Sequence, residues 1–172
     1  TEDVRFYDHS GIDFKALGRA IVKRGVMGQK SAGGGSTITQ QLAKQLYSGT
    51  AHSVVERLLQ KPIEWVIAVK LERNYTKDEI IAMYLNYFDF LHNAVGIKTA
   101  ANTYFSKEPK DLSVTESAVL IGLCKNPSFF NPVRYPERST ERRNVVLHQM
   151  TKAGYLTDAE YEQYSKEPLE LH

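Results

Sequence analysis

GGGSTITQQLAKQLY, Gly33 to Tyr47, passes from a loop into a helix. Three glycines close a flexible loop, and Ser36 stands where an N-cap is expected, its hydroxyl placed to accept from an orphan backbone N–H. Ile38, Leu42 and Leu46 then recur every four residues and form one apolar stripe toward a core. Thr37, Gln41 and Lys44 lie within about 60° of one another on a different face. A hydroxyl, an amide and an ammonium are thus expected near a helix N-terminus, where backbone N–H groups and the macrodipole favour anions. An amphipathic helix with a solvated polar face is the simpler account of this helix alone. That account leaves unexplained why the face carries STxTQQxxK and not the Glu and Lys mixture of good surface helices. A Walker-type phosphate loop is excluded, because the GxxxxGK[ST] spacing is absent and the lysine lies inside the helix.

Outward from this helix, every periodic segment reads as helical. Asp13 caps a helix from about Phe14 to Lys23, with Phe14, Leu17 and Ile21 expected inward. Gly25 to Gly35 is glycine-rich with little to bury and reads as a lid or a loose connector. Ser53 to Glu56 is a capping box that opens a helix toward Arg73, and Pro62 should kink or restart it. IEWVIAVKLE is apolar on nearly all sides and is expected to be the buried central helix. Glu64 within it must be neutralised, paired or lining a wet cleft, because a lone buried carboxylate is very costly. A Glu near a helix start that is merely stabilised by the dipole is the plainer alternative. Thr76 to Glu79, Ser113 to Glu116 and Thr157 to Glu160 cap three further helices, and two more are expected over 96–105 and 137–153. No segment alternates convincingly enough for a sheet, so the class is all-α with a mobile lobe near the start.

At 172 residues the chain is read as one domain with a substantial core. Apolar content of 42% and charged content of 24% exclude a disordered chain. A net charge of +2 without a basic tract argues against nucleic acid as a partner. Cys124, the single cysteine, lies in AVLIGLC and is read as a small core hydrophobe. The abrupt ends, TEDVRF and EPLELH, suggest a domain excised from a longer, membrane-anchored chain.

Glu2 and Asp3, then Glu64, then Glu72 are the carboxylate-bearing segments. Paired carboxylates serve chemistry at an anomeric centre, where one removes a proton while the other stabilises or protonates. Lys44, Lys125 and Arg134 could neutralise a phosphorylated leaving group, which departs with its charge and needs no strong acid. Together they point to glycosyl transfer from a sugar phosphate.

EDVRFYDHSGID, GGGSTITQQLAKQ, QKPIEWVIAVKLE, IAMYLNYFDF…GIKTAANTYFSK and ESAVLIGLCKNPSFFNP resemble, in order, the five motifs of the family 51 peptidoglycan glycosyltransferases. These are the glycan-polymerising domains of class A penicillin-binding proteins and of monofunctional transglycosylases. The resemblance runs from Glu2 to about Gly154. It implies a lysozyme-like helical fold with a large lobe and a smaller, membrane-facing lobe. It also implies polymerisation of lipid II into β-1,4-linked glycan with inversion, releasing undecaprenyl diphosphate. By motif, Glu2 resembles the general base that deprotonates the acceptor 4-hydroxyl, and Glu64 the second carboxylate, near the donor diphosphate and in some members near a divalent cation, Mg or Mn. Thr37, Gln41, Lys44 and Lys125 match positions that bind the diphosphate or orient the donor. Asp3, Phe6 and His9 match first-motif residues that shape the cleft around Glu2. Gly34, Ser36, Gln40, Lys61, Asn86 and Arg134 join the substrate-binding set by the same resemblance. No organic cofactor is implied. The implied partners are lipid II, the growing glycan strand, the membrane surface and an attached transpeptidase domain. The implied location is the outer face of the bacterial cytoplasmic membrane.

The chain departs from the family pattern in places. Gln60-Lys61 replaces Arg-Lys before the third-motif glutamate, with Pro62 following, which loses one cation and throws weight on Lys61. Gln45 replaces a frequent Asn, and Leu91 and His92 stand where glycine is frequent. Two rival readings are a lysozyme-type hydrolase, which has no use for cations around a diphosphate, and a non-catalytic helical module, against which the retained Glu2 and Glu64 speak.

Overall fold

The computed structural model describes residues 1–23, 35–47 and 53–171. Among them are eight α-helices and no strand; an isolated bridge joins Asp89 and Val95. The all-α expectation therefore holds. The chain forms two compact units, one over Glu2–Tyr87 and one over Phe88–His172 with Thr1.

The first unit begins with a short 3₁₀ turn, Phe6–Asp8, followed by α1 (Phe14–Ile21), α2 (Ile38–Tyr47), α3 (Val54–Asn74) and α4 (Lys77–Tyr87). Asp13 caps α1 as expected, its Oδ1 accepting from the N–H groups of Lys15 and Ala16 at 3.0 Å each. Phe14 and Ile21 nevertheless point outward, at 71% and 62% exposure, against the expectation that they face inward. The opposite side of the helix is the packed one. Gly35 approaches it so closely that an added Cβ would lie 2.9 Å from the Leu17 Cα and 3.3 Å from the Ala20 Cβ. The glycine-rich segment over 25–34 lies outside the described residues.

Ser53 caps α3 by accepting from the Glu56 N–H at 3.1 Å, and the helix runs through Pro62 without a break. The expectation that IEWVIAVKLE is buried all round fails: Ile63 and Val66 are exposed, while Glu64, Ala68 and Leu71 are buried. Backbone packing selects the inward face. Gly11, at φ +98°, lies against the helix at Ala68, where a Cβ would come within 2.9 Å of the Ala68 carbonyl carbon. A small residue on α3 and a glycine opposite it bring two backbones together, and Ile63 and Val66 lie on the other side. At α4, Thr76 and Glu79 exchange the reciprocal bonds of a capping box, 2.7 and 3.3 Å.

The second unit holds α5 (Ile97–Phe105), a 3₁₀ turn (Pro109–Asp111), α6 (Val114–Leu123), α7 (Pro136–Lys152) and α8 (Asp158–Tyr164). Ser113–Glu116 and Thr157–Glu160 form the expected capping boxes. Ala118, Val146, Leu147 and Leu156 make a core against which Ile121, Met150 and Tyr161 pack. Cys124 is buried, as read from its apolar run. Arg143 is buried in this unit and spends its donors on carbonyls, giving 2.8 Å to Glu167 O and 3.1 Å to Ser165 O, which ties down the segment after α8. Burial pulls its guanidinium below the ordinary arginine range.

Candidate active site

The N-terminus of α2 is where the acidic segments of the first unit meet, and the helix is capped by Thr37, not by Ser36. The Thr37 Oγ1 accepts from the Gln40 N–H at 3.1 Å, and the Gln40 Oε1 accepts from the Thr37 N–H at 3.0 Å. This is a Thr-x-x-Gln version of the reciprocal capping box. The Thr37 hydroxyl also donates to the Gly11 carbonyl at 2.7 Å. Thr37 and Gln40, both named as substrate-binding candidates, are thus buried and committed to the fold at this point.

The anion at the start of α2 is a carboxylate of the chain itself. The Asp3 Oδ2 accepts from the Ile38 N–H at 3.1 Å and lies 2.8 Å from the His9 Nε2. Because the His9 Nδ1 accepts from the Gly11 N–H at 3.2 Å, the imidazole proton sits on Nε2 and is donated to Asp3. Helix dipole, backbone donor and imidazole together hold Asp3 in place. Glu2, the next residue back along the chain, is partly buried. Phe6 is buried, with its ring edge-to-face on His9 at 6.1 Å. Arg5 pairs with Asp13 at 2.9 Å. Burial works to raise the Asp13 carboxyl, but the Ala16 N–H, the Arg5 guanidinium and the Lys15 N–H outweigh it and leave it below the usual carboxylate range.

Glu64 is 2% exposed and paired, as its burial required. Its Oε2 takes the Lys61 Nζ at 2.6 Å, and the same ammonium donates to the Ser36 Oγ at 3.4 Å. The acidic first segment therefore reaches α2 at Ile38, and the Glu64–Lys61 pair reaches it at Ser36. The Lys61 side chain remains 40% exposed, so the pair has one face on solvent.

Lys44 is exposed farther along α2, and the Gln41 Oε1 accepts from the Tyr84 hydroxyl at 3.2 Å. Hydroxyl, amide and ammonium do not converge as the helical spacing suggested, because the Thr37 hydroxyl turns inward to serve the cap and Gly11. Asn86 is exposed in the last turn of α4. Lys125 and Arg134 belong to the second unit and are exposed there. Gly34 lies outside the described residues. At Glu64, the metal-ligand candidate of the family motif, Oε2 holds the Lys61 ammonium. Among the described residues no group of three His, Cys, Asp or Glu side chains is placed to hold an ion.

Sequence reasoning missed a second polar cluster beside the first. Glu72, read only as a further carboxylate, is bound by the Lys77 Nζ at 2.8 and 2.9 Å and by the Thr39 hydroxyl at 2.6 Å. Lys77 sits in a surface-like capping sequence, and nothing in its spacing signals that it turns inward.

The first unit thus gathers a docked acidic segment and a carboxylate–ammonium pair, its carboxylate buried, at the start of one helix. The chain belongs to the transglycosylase family, whose model, described as Transglycosylase, matches residues 1–151, and it is accordingly a glycosyltransferase. It is similar to penicillin-binding protein 1F of Bacillus subtilis, at 44% identity over 171 residues, covering 99% of this chain and 23% of that protein. It is also similar to penicillin-binding protein 1A of Escherichia coli, at 41% identity over 170 residues, covering 98% and 19%. Its fold matches the crystal structure of penicillin-binding protein 1A from Haemophilus influenzae with a TM-score of 0.54 at 30% identity, over 77% of this chain and 16% of that one. The chain thus spans about a fifth of the length of these relatives.

Proposed function

We propose that this domain polymerises lipid II into β-1,4-linked glycan with inversion, releasing undecaprenyl diphosphate, as part of bacterial peptidoglycan synthesis. The observation that carries the reading is the meeting of the Glu2–Asp3 segment and the Glu64–Lys61 pair within Ser36–Ile38. Glu2 accepts the proton of the acceptor 4-hydroxyl as its oxygen attacks the anomeric carbon, and the bond from that carbon to the donor diphosphate breaks. The diphosphate leaves with its negative charge, and Lys61 and Lys44 are the cations of this unit suited to meet it. Asp3 and His9 hold the segment that carries the base. Lys125 and Arg134 are assigned to the substrate on motif resemblance alone.

Binding at a membrane surface is part of the same proposal. Val55, Leu59, Ile63 and Val66 form an exposed apolar stripe along α3, and Phe14, Ile21 and Val22 are exposed on and just after α1. Large apolar faces of this kind suit a substrate carried on a lipid. No helix among the described residues is long and apolar enough to cross a membrane. A parent protein with an anchor and a transpeptidase domain, on the outer face of the cytoplasmic membrane, belongs to the same proposal, which fits the greater length of the penicillin-binding relatives.

Lipid II polymerisation by the wild type beside Glu2→Gln and Lys44→Ala tests the reading. Polymer growth is expected from the wild type, at least a hundredfold less from Glu2→Gln, and a weaker loss from Lys44→Ala, consistent with the usual size of general-base contributions. Shortening of finished glycan in place of growth, or full activity of Glu2→Gln, would overturn it.

A further inference from the structure

We propose that Lys77 is a positioning residue for this reaction, holding the segment that carries Glu2; the proposal rests on the reading of Glu2 as the base. The Lys77 ammonium donates to the His9 carbonyl at 2.6 Å and to the Glu72 carboxylate at 2.8 and 2.9 Å. It also lies 4.4 Å from the centroid of the Phe6 ring, within cation–π range. Its side chain is only 20% exposed.

Lys77 is the first residue of α4, where the helix macrodipole opposes a positive charge. Loss of hydration adds to that cost. Glu72 offsets it, held in turn by the Thr39 hydroxyl of α2 at 2.6 Å. The arrangement thus directs a desolvated cation onto the backbone of one particular residue. That residue is His9, whose ring donates to Asp3, the neighbour of Glu2. Asp3 docks on Ile38 of α2, and Gly11 on Thr37 at the start of α2 and on Ala68 of α3. Lys77 ties the middle of the segment to α4 through a short, part-buried bond, where the exposed Tyr7 hydroxyl also donates to Asp78 at 3.4 Å. Releasing the His9 carbonyl frees the middle of the segment and lets the imidazole, and with it Asp3 and Glu2, shift.

Removing the lysine alone would leave Glu72 buried without its cation, so a loss of activity in Lys77→Met could reflect instability. The double variant Glu72→Gln/Lys77→Met removes both charges while still omitting the donor to His9. The expected result is a Tm within a few degrees of wild type, kcat for lipid II polymerisation at least tenfold lower, KM within about twofold, and a displaced acid limb of the kcat–pH profile. The ¹⁵N signals of the His9 imidazole, which read the segment without any turnover, should move in the double variant. Should the double variant not fold, Lys77→Arg keeps a charge opposite Glu72 but not the compact ammonium geometry, and the same fall in kcat with wild-type Tm is expected. Recovery of kcat together with Tm, or unchanged His9 signals, would reduce Lys77 to a strut and overturn the proposal. Wild-type activity of Glu2→Gln would instead sink the base assignment while the His9 signals still report on Lys77.

Discussion

Thr37 shows how one side chain can be diverted from a ligand to the fold. Its hydroxyl accepts from Gln40 and donates to Gly11, joining the first segment to α2 in a buried place. Thr37→Val should therefore lower stability by about 2 kcal/mol, a lost cap combined with an unsatisfied carbonyl. Thr37→Ser should restore most of it, as read by chemical denaturation. Lys61 carries a different consequence. Lys61→Met leaves Glu64 buried beside no ammonium; with Lys61 partly exposed, the expected loss is about 1–2 kcal/mol, below the value for a fully buried pair. Glu64→Gln in the same background should recover stability without recovering polymerisation.

At the level of elements, the approach of backbones decides which faces are buried. Gly11 combines a positive φ with a contact that leaves no room for a Cβ. Gly11→Ala should cost more than 2 kcal/mol, on the scale of strained-backbone and overpacking penalties, and should also depress activity by shifting Asp3 on α2. In the second unit, Leu91, His92 and Asn93 follow one another at φ 67°, 51° and 62°. Asp89 accepts from the Leu91 N–H at 2.8 Å, and Asn131 bridges to His92 at 3.0 Å, which holds this left-handed run in place. The Asn131 Oδ1 takes the N–H groups of Val133 and Arg134, so its amide nitrogen must face the His92 Nε2 as donor. Asn93 is exposed, and Asn93→Gly should raise stability by about 0.5 kcal/mol by removing part of the left-handed penalty. Calorimetry would show the gain as an upward shift of Tm.

Across the whole molecule, Asp13 and Glu116, beside the exposed Glu160, tie stability to acid pH. Burial alone would raise the Glu116 carboxyl, but the Lys107 ammonium at 2.7 Å and the Ser113 N–H at 2.8 Å together hold it below its ordinary value. Asp13 is lowered in the other unit by its backbone donors and Arg5. A carboxyl that titrates lower when folded gives stability that is complete above its unfolded pKa, near 4, and lost as the pH falls through its folded value. These two groups thus add no change between about pH 7 and 5 and a loss of Tm below about pH 4. Glu116→Gln should lower Tm at neutral pH and show a shallower acid decline.

Much of this protein was legible in one dimension. Capping residues, apolar periodicity and glycine or proline stops act within a few residues of chain, and they placed the helices, the Asp13 cap and the three downstream capping boxes. The need of Glu64 for a partner was equally plain, because desolvation of a carboxylate is costly wherever it occurs. What lay beyond a local reading were choices made by distant contacts. Gly11 against Ala68 left Ile63 and Val66 of α3 outward, Gly35 against Leu17 left Phe14 and Ile21 of α1 outward, and Asp3 took the start of α2. Lys77 looked like a surface lysine in a capping box until Glu72 and the His9 carbonyl drew it inward. Periodicity tells which side chains share a face, whereas the burial of that face depends on which backbone arrives against it, and only the tertiary structure brings those backbones together.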